Sequence, residues 1–148
     1  MRVKCIANKH SNLEKYEYQP LIDGHFGRFD VSTQYEYPII VGEDYIILGM
    51  IMFEKYLAYL TDNNGLIITV PCYLFEVGDP KALPKDWYFR VVGRDENIYP
   101  FIQAIWGYED LCKEKQAYEK LIVEMDEESQ RFYFHKKNEL LKEFIDGL

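Results

Sequence analysis

The sequence predicts an α+β protein, in which a small, strongly twisted antiparallel β-unit of about five strands precedes two or three helices. Three observations support this fold class. Short apolar runs separated by turn signals dominate residues 1–77. Apolar residues in the last third recur instead at intervals of three, four and seven. Finally, the stretch Asp62-Asn63-Asn64-Gly65 separates two β-rich runs and indicates a hairpin.

Composition and charge narrow the classes of partner. The chain has 148 residues, of which 48% are hydrophobic, so a single domain with a sizeable core is expected. We divide it into a β-unit (1–77), a connection with one further strand (78–97) and a helical tail (98–148). The formal net charge is −8 and the pI about 4.9. Such a charge disfavours nucleic acid and anionic membranes and favours basic protein partners.

The first part of the β-unit is predicted to contain short strands. Residues 2–7 form an apolar run typical of a first strand, and the polar stretch 8–20 predicts a loop. Residues 29–31 and 33–37 alternate with period two and predict strands. Pro38 then interrupts the ladder.

The clearest turn lies between strands predicted over residues 56–61 and 66–70. The intervening Asn63-Asn64-Gly65 suits a tight turn because Asn and Gly tolerate positive φ. Pro71 ends the returning strand, since proline cannot donate to a ladder. Residues 73–77 then predict one turn of 3₁₀ helix and a closing strand.

After one further strand over residues 87–92, the sequence predicts helices. Pro100 suits the first turn of a short helix that ends near Gly107. Residues 109–125 predict a second helix with a charged outer face. Its apolar stripe consists of Leu111, Tyr118, Leu121, Ile122 and Met125.

The last predicted helix begins after Asp126, a suitable N-cap. Glu127 and Glu128 fall in its first turn, where they complement the helix dipole. Gly147 is expected to end it. Its apolar stripe consists of Phe134, Leu141 and Ile145, with Phe132, Leu140 and Phe144 nearby.

Cysteine usage and hydropathy predict a cytoplasmic protein. Cys5, Cys72 and Cys112 are odd in number and far apart, which disfavours a disulfide framework and favours a reducing compartment. The first ten residues lack the apolar stretch of a signal peptide. The most apolar run, residues 45–53, is too short to cross a bilayer.

Motifs for catalysis are few. Cys72 is the most conspicuous candidate nucleophile, but its apolar neighbours favour a buried thiol in a turn. The spacing of Cys and His residues fits no closed zinc site, and no glycine-rich phosphate loop is present. Adjacent carboxylates occur in turns or at helix starts, where solvated acids are usual. We therefore expect no catalytic residues, no metal and no cofactor.

The acidic residues are distributed unevenly. Residues 16–62 contain eight acidic side chains against two basic ones, together with seven tyrosines. Carboxylates can steer a basic partner, and tyrosines supply rigid contact area. A solvated acidic face that only keeps the protein soluble is the competing interpretation. The candidate partner-binding residues, chosen for their charge and for their expected positions in exposed turns or edges, are Asp23, Asp30, Tyr35, Tyr37, Glu43 and Asp44.

The order of elements over residues 1–77 resembles an SH3-like small barrel. A strand, a long polar loop and a meander lead to an Asn-Gly hairpin and then to Val70-Pro71-Cys72-Tyr73-Leu74-Phe75. In such barrels a one-turn 3₁₀ segment links the last two strands. Tyr73 stands only two positions after Pro71, however, and no ALYDY-type run follows the first strand. Binding of proline-rich peptides is therefore not implied.

A small acidic protein with an SH3-like start and a helical tail also resembles bacterial immunity proteins of contact-dependent or polymorphic toxin systems. This resemblance implies binding of a cognate toxin domain, often a basic nuclease, and occlusion of its active site. Two alternatives remain. One is a phage-derived or cellular structural or adaptor module that assembles with its own copies. The other is a small enzyme that uses Cys72 or a site centred on His25.

Overall fold

The structure, a computed structural model, describes residues 1–78, 83–93 and 96–146. It is an α+β fold with two antiparallel sheets, which confirms the predicted class. The strands are β1 (Arg2–Cys5), β2 (Asp44–Ile46), β3 (Gly49–Phe53), β4 (Leu57–Asp62), β5 (Ile67–Pro71), β6 (Phe75–Val77), β7 (Tyr88–Val91) and β8 (Ile102–Gly107). The helical segments are 3₁₀ helices at His10–Tyr16 and Cys72–Leu74, α1 (Glu109–Lys113), a π-helical turn at Glu119–Val123 and α2 (Glu127–Asp146).

The strands form a three-stranded sheet in the order β2-β1-β6 and a five-stranded sheet in the order β5-β4-β3-β8-β7. The described strands therefore form two sheets and no closed barrel, so the SH3-like barrel is not confirmed. Both sheets contribute to one of two core clusters, in which Val3 of β1 packs with Tyr59 and Val70. The other cluster lies between the five-stranded sheet and the helices, with Ile51 and Leu121 among its members.

The predicted hairpin is confirmed. β4 and β5 pair antiparallel, and Asn64 adopts the positive φ of 71° that the turn requires. The Gly65 N–H donates to Asp62 Oδ1 at 3.0 Å, and the Asn63 N–H donates to the Leu66 carbonyl oxygen at 3.1 Å. The 3₁₀ turn after Pro71 and the closing strand β6 also form as predicted.

Residues 21–41 differ from the prediction, because they form an irregular loop instead of strands. Their ladder contacts are isolated bridges, one of which joins Phe26 to Ser32. Side chains satisfy the backbone in place of a strand partner: the Gly24 N–H donates to Thr33 Oγ1, and the Ile40 N–H donates to Tyr45 Oη. Asp30, at φ 55°, breaks the extended conformation midway.

The helix predicted between Pro100 and Gly107 is wrong, since this segment is β8. β8 lies between β3 and β7 in the larger sheet, and its residues Ile102 and Ile105 are buried in the core. Tertiary pairing therefore overrides the local proline signal. Gly107 faces Gly49 across the β3–β8 ladder, and a Cβ at Gly107 would lie 2.9 Å from Leu111 Cδ2. The glycine thus allows α1 to pack closely on the sheet.

The predicted loop over residues 8–20 contains the 3₁₀ helix, which forms because His10 and Leu13 are buried. The single helix predicted over residues 109–125 is interrupted. Its first part ends at the extended residue Glu114, and a π-helical turn follows. Leu111, Tyr118 and Leu121 of the predicted stripe are buried, whereas Met125 is 54% exposed.

The N-cap of α2 is confirmed, because the backbone N–H and the hydroxyl of Ser129 both donate to Asp126 Oδ2. Its apolar stripe is offset from the prediction: Tyr133 and Leu140 are buried, and Leu141 is exposed. The side chains of Phe144 and Ile145, and Gly147 as the predicted stop, lie outside the described residues. Among the described helices, none is long and apolar enough to cross a bilayer.

Candidate functional site

Three of the six predicted partner-binding residues meet at one groove. Asp30, Tyr35 and Tyr37 line a cavity of about 700 Å³. The same cavity is lined by residues 99–101 and by Tyr118. It is also lined by residues 53–56 and by Ile68, Thr69, Pro71 and Ile122. We call this cavity the tyrosine groove.

Arg28 fixes the loop that carries the predicted residues of the tyrosine groove. Its guanidinium donates to the Lys55 carbonyl oxygen at 2.8 Å and to the Tyr16 carbonyl oxygen at 2.9 Å. It also donates to Tyr73 Oη at 3.3 Å. These bonds attach the loop to the β3–β4 turn, to the first 3₁₀ helix and to the second. The loop is therefore held in place although it contains no strand.

Eight of the eighteen residues that line the tyrosine groove are aromatic. Tyr35 and Tyr37 meet edge to face with their centroids 4.7 Å apart. Tyr56 packs against Phe53 at 5.2 Å. Tyr118 Oη lies 3.2 Å from Thr69 Oγ1, within hydrogen-bond distance. Rings of this kind bring large contact area at little cost in conformational entropy.

Tyr37 corrects one expectation, because we placed it at an exposed edge and it is only 5% exposed. Its hydroxyl has no hydrogen-bond partner among the described residues. Burial, followed by the neighbouring Tyr56, raises the pKa of Tyr37 well above its ordinary value. The hydroxyl is therefore protonated at neutral pH and has an unused hydrogen-bonding capacity inside the lining.

Two of the residues that line the groove have a positive φ. Asp30 has φ 55° and Phe101 has φ 66°. Asp tolerates this region through local hydrogen bonding, but an aromatic side chain is strained there. Phe101 is nevertheless 62% exposed, beside Tyr99 at 59%. Strained, exposed aromatic residues at a cavity are typical of binding sites.

Sequence reasoning missed Tyr99 and Phe101, because a short helix was expected after Pro100. The signal that could have found them is the run Tyr99-Pro100-Phe101, since two large apolar residues around a proline fit a turn at least as well as a helix start.

The charges of the tyrosine groove are mixed but favour cations. Asp30 and Glu54 contribute two carboxylates, and Lys55 contributes one ammonium group. All three side chains belong to exposed residues. The Glu54 and Lys55 pair lies in the β3–β4 turn, so the acidic surplus lies on the side of the irregular loop.

The remaining predicted residues lie elsewhere. Asp23 lines a second cavity of about 410 Å³, together with His10 and Glu17. Glu43 and Asp44 lie at the start of β2 and line neither cavity. Asp44 accepts a hydrogen bond from Arg2 at 2.6 Å in an exposed ion pair, which contributes little to stability.

The candidate nucleophile occupies a position that suits packing. Cys72 is half-buried in the 3₁₀ turn, and burial raises the pKa of its thiol even though Arg28 acts in the opposite direction. A raised pKa lowers the thiolate fraction at neutral pH. His25 is exposed on the irregular loop. Over the described ranges, no three His, Cys, Asp or Glu side chains are grouped so that they could hold a metal ion.

Comparison with known proteins adds no identification. No protein-family model matches the chain, and no curated protein or solved structure is significantly similar to it. The function must therefore be argued from the tyrosine groove and its surroundings.

Proposed function

We propose that this protein is a non-catalytic inhibitory binding protein, an immunity protein that neutralises a cognate, basic toxin domain by binding and occluding it in the cytoplasm. The observation that carries the proposal is the tyrosine groove. It combines exposed aromatic residues, a strained Phe101 and two carboxylates in one cavity. Such a cavity suits a protein segment that presents basic and apolar side chains.

Electrostatics and aromatic contacts would divide the work of binding. The net charge of −8 attracts a basic partner over long range, and Asp30 and Glu54 direct it to the groove. Tyr35, Tyr99 and Phe101 are the exposed rings that would form the contact area. In this proposal the one-turn 3₁₀ helix before β6 belongs to an SH3-like layout that supports the groove.

The test uses the toxin-like domain encoded by the reading frame next to this one, purified as an inactive variant. We expect the double variant Asp30→Lys/Glu54→Lys to associate about tenfold more slowly than the wild type at low salt, with a flatter salt dependence. Tyr99→Ala/Phe101→Ala should instead raise the dissociation rate, because it removes buried contact area. Stopped-flow fluorescence measures both rates.

Glu114→Lys is the matched control, because Glu114 is exposed and lines neither cavity. Glu114→Lys changes the net charge by two units. The control pair Glu114→Lys/Glu128→Lys therefore changes the net charge by as much as the groove variant Asp30→Lys/Glu54→Lys. If the control pair slowed association as much as the groove pair, net charge alone would explain the effect and the groove would not be the binding site.

A second candidate function is self-assembly as a structural or adaptor module. It is favoured by the edge strand β7, where Phe89 is 57% and Val91 is 65% exposed. Phe89 stacks on Trp106 with centroids 4.8 Å apart, which adds apolar surface at this edge of the sheet. Light scattering after size exclusion discriminates the two functions: a stable oligomer that Phe89→Ser dissociates would support self-assembly, and a monomer would oppose it.

A further inference from the structure

The second cavity contains a buried histidine with no hydrogen-bond partner. His10 is 1% exposed, and neither Nδ1 nor Nε2 has a partner among the described residues. Its Nε2 lies 3.8 Å from Glu17 Oε2, which is too long for a hydrogen bond. Buried polar groups are nearly always satisfied, so an unsatisfied imidazole that lines a cavity indicates a site for a ligand group.

Glu17 adds a carboxylate that is only 4% exposed. It accepts the Arg28 backbone N–H at 2.7 Å, and its Oε2 lies close against Gly27, where an added Cβ would be 2.3 Å away. The Arg28 guanidinium is directed instead to carbonyl oxygens and to Tyr73. Over the described part of the chain, no Lys or Arg nitrogen lies within the 4.0 Å of an ion pair with Glu17. A buried carboxylate without a cation is costly.

The other residues that line the second cavity indicate which class of ligand it could bind. Glu14 and Asp23 contribute two further carboxylates, and Tyr18 and Leu21 contribute apolar surface. Anions such as phosphate are therefore disfavoured. The described acidic and imidazole groups are not arranged to hold a metal ion, which favours an organic cation. The volume of about 410 Å³ is sufficient for one long side chain.

We propose that this cavity binds the guanidinium group of an arginine side chain. A guanidinium has five N–H donors in a planar fork, which is enough for Glu17, Asp23 and an imidazole nitrogen of His10, all of which line this cavity. A lysine ammonium has three donors on a single atom and reaches fewer acceptors. The proposal specifies the partner chemistry of the proposed inhibitory function and rests on it. The partner would place one arginine in this cavity.

The test is a titration of the free protein with N-acetyl-arginine amide, followed by NMR of the His10 imidazole. We expect saturable shifts, whereas the neutral isostere N-acetyl-citrulline amide should produce none at the same concentrations. Asp23→Asn should weaken arginine binding at least threefold and Glu17→Gln at least tenfold. Glu114→Gln is the matched control and should leave the affinity unchanged. Circular dichroism checks that each variant is folded. If Glu17→Gln does not fold, the affinity of Asp23→Asn for the arginine probe is the test of the proposal.

Equal binding of the arginine and citrulline probes, or arginine binding that Asp23→Asn leaves unchanged, would overturn the proposal. The proposed function has a separate test in the Asp30→Lys/Glu54→Lys variant. If the arginine probe does not bind while charge reversal still slows association with the toxin domain, only the arginine pocket is wrong. If the probe binds and charge reversal has no effect, the pocket is supported and the inhibitory function of the groove is wrong.

Discussion

At the scale of single residues, the backbone strain at Phe101 can be tested. It has φ 66°, and this backbone conformation costs a non-glycine residue about 1–3 kcal/mol. Phe101→Gly removes both the ring and the strain, whereas Phe101→Ala removes the ring alone. We therefore expect the glycine variant to exceed the alanine variant in free energy of unfolding by about 1 kcal/mol, measured with urea.

Phe26 is the matched control for Phe101. It is 66% exposed, against 62% for Phe101, but it does not have a positive φ. Glycine should therefore be less stable than alanine at position 26, the reverse of the order at position 101. If glycine were less stable than alanine at both positions, Phe101 would not be strained. Because the toxin-binding test uses the alanine variant, the effect of the ring on binding is measured separately from the strain.

The sequence predicted which residue types line the candidate surface, but it did not predict which of these side chains are buried. The sequence placed Asp30 and Tyr35 in one candidate surface, and the structure brings both to the tyrosine groove. Tyr37 was expected to be exposed, but it is buried in the core cluster that contains Leu13 and Phe29. Alternation along a strand indicates which side chains face solvent, but this rule does not apply to residues 33–37 because they form an irregular loop.

At the scale of elements, Gln130 connects α2 to the larger sheet. Its Oε1 accepts the Ile67 backbone N–H at 2.9 Å, and its Nε2 donates to the Leu121 carbonyl oxygen at 2.8 Å. Ile67 lies in β5 at the edge of the sheet, so the side chain replaces a missing strand neighbour. The amide therefore links β5, the π-helical turn and α2.

Gln130→Leu keeps the side-chain volume but leaves two buried backbone groups unpaired. We expect a loss of about 2–6 kcal/mol in free energy of unfolding, since each of the two unsatisfied groups costs about 1–3 kcal/mol. Urea denaturation followed by circular dichroism provides the measurement. Gln116→Leu, at an exposed position, should change stability by less than about 0.5 kcal/mol. Similar losses for the two variants would show that the bridge contributes nothing.

Elements whose signals are local were predicted correctly. The Asn-Gly hairpin, the 3₁₀ turn after Pro71 and the Asp126 N-cap each depend on residues within a few positions of one another. β8 was missed because its strand character comes from pairing with β3 and β7. β3 lies far from β8 in the sequence, and Pro100 provided a local helix signal that pairing overrides.

At the scale of the whole molecule, the buried tyrosines should limit stability at high pH. Burial raises the pKa of Tyr118 and of Tyr108 from 10.0 to about 12. It also raises the pKa of Tyr37, Tyr56 and Tyr133. The groups lie in both core clusters or beside them, so the effect is not confined to one sheet.

The direction of this pH dependence follows from the linkage between proton binding and folding. Each of these tyrosines has a higher pKa in the folded than in the unfolded protein, so the folded state retains the proton longer. For Tyr118 and Tyr108 this contribution to stability is fully present below pH 10 and is lost as the pH rises from 10 to about 12. In that window each such group lowers the free energy of unfolding by about 1.4 kcal/mol per pH unit.

We therefore expect cooperative alkaline unfolding, in which the ultraviolet absorbance of tyrosinate from the buried groups appears together with the loss of circular dichroism. Tyr118→Phe should make the decline between pH 10 and 12 less steep by about 1.4 kcal/mol per pH unit. Tyr88→Phe, at a 45% exposed position on the edge strand, is the control and should leave the slope unchanged. If all thirteen tyrosines ionised while the circular dichroism of the folded protein persisted, these side chains would be accessible to water and the two-cluster core would not hold them.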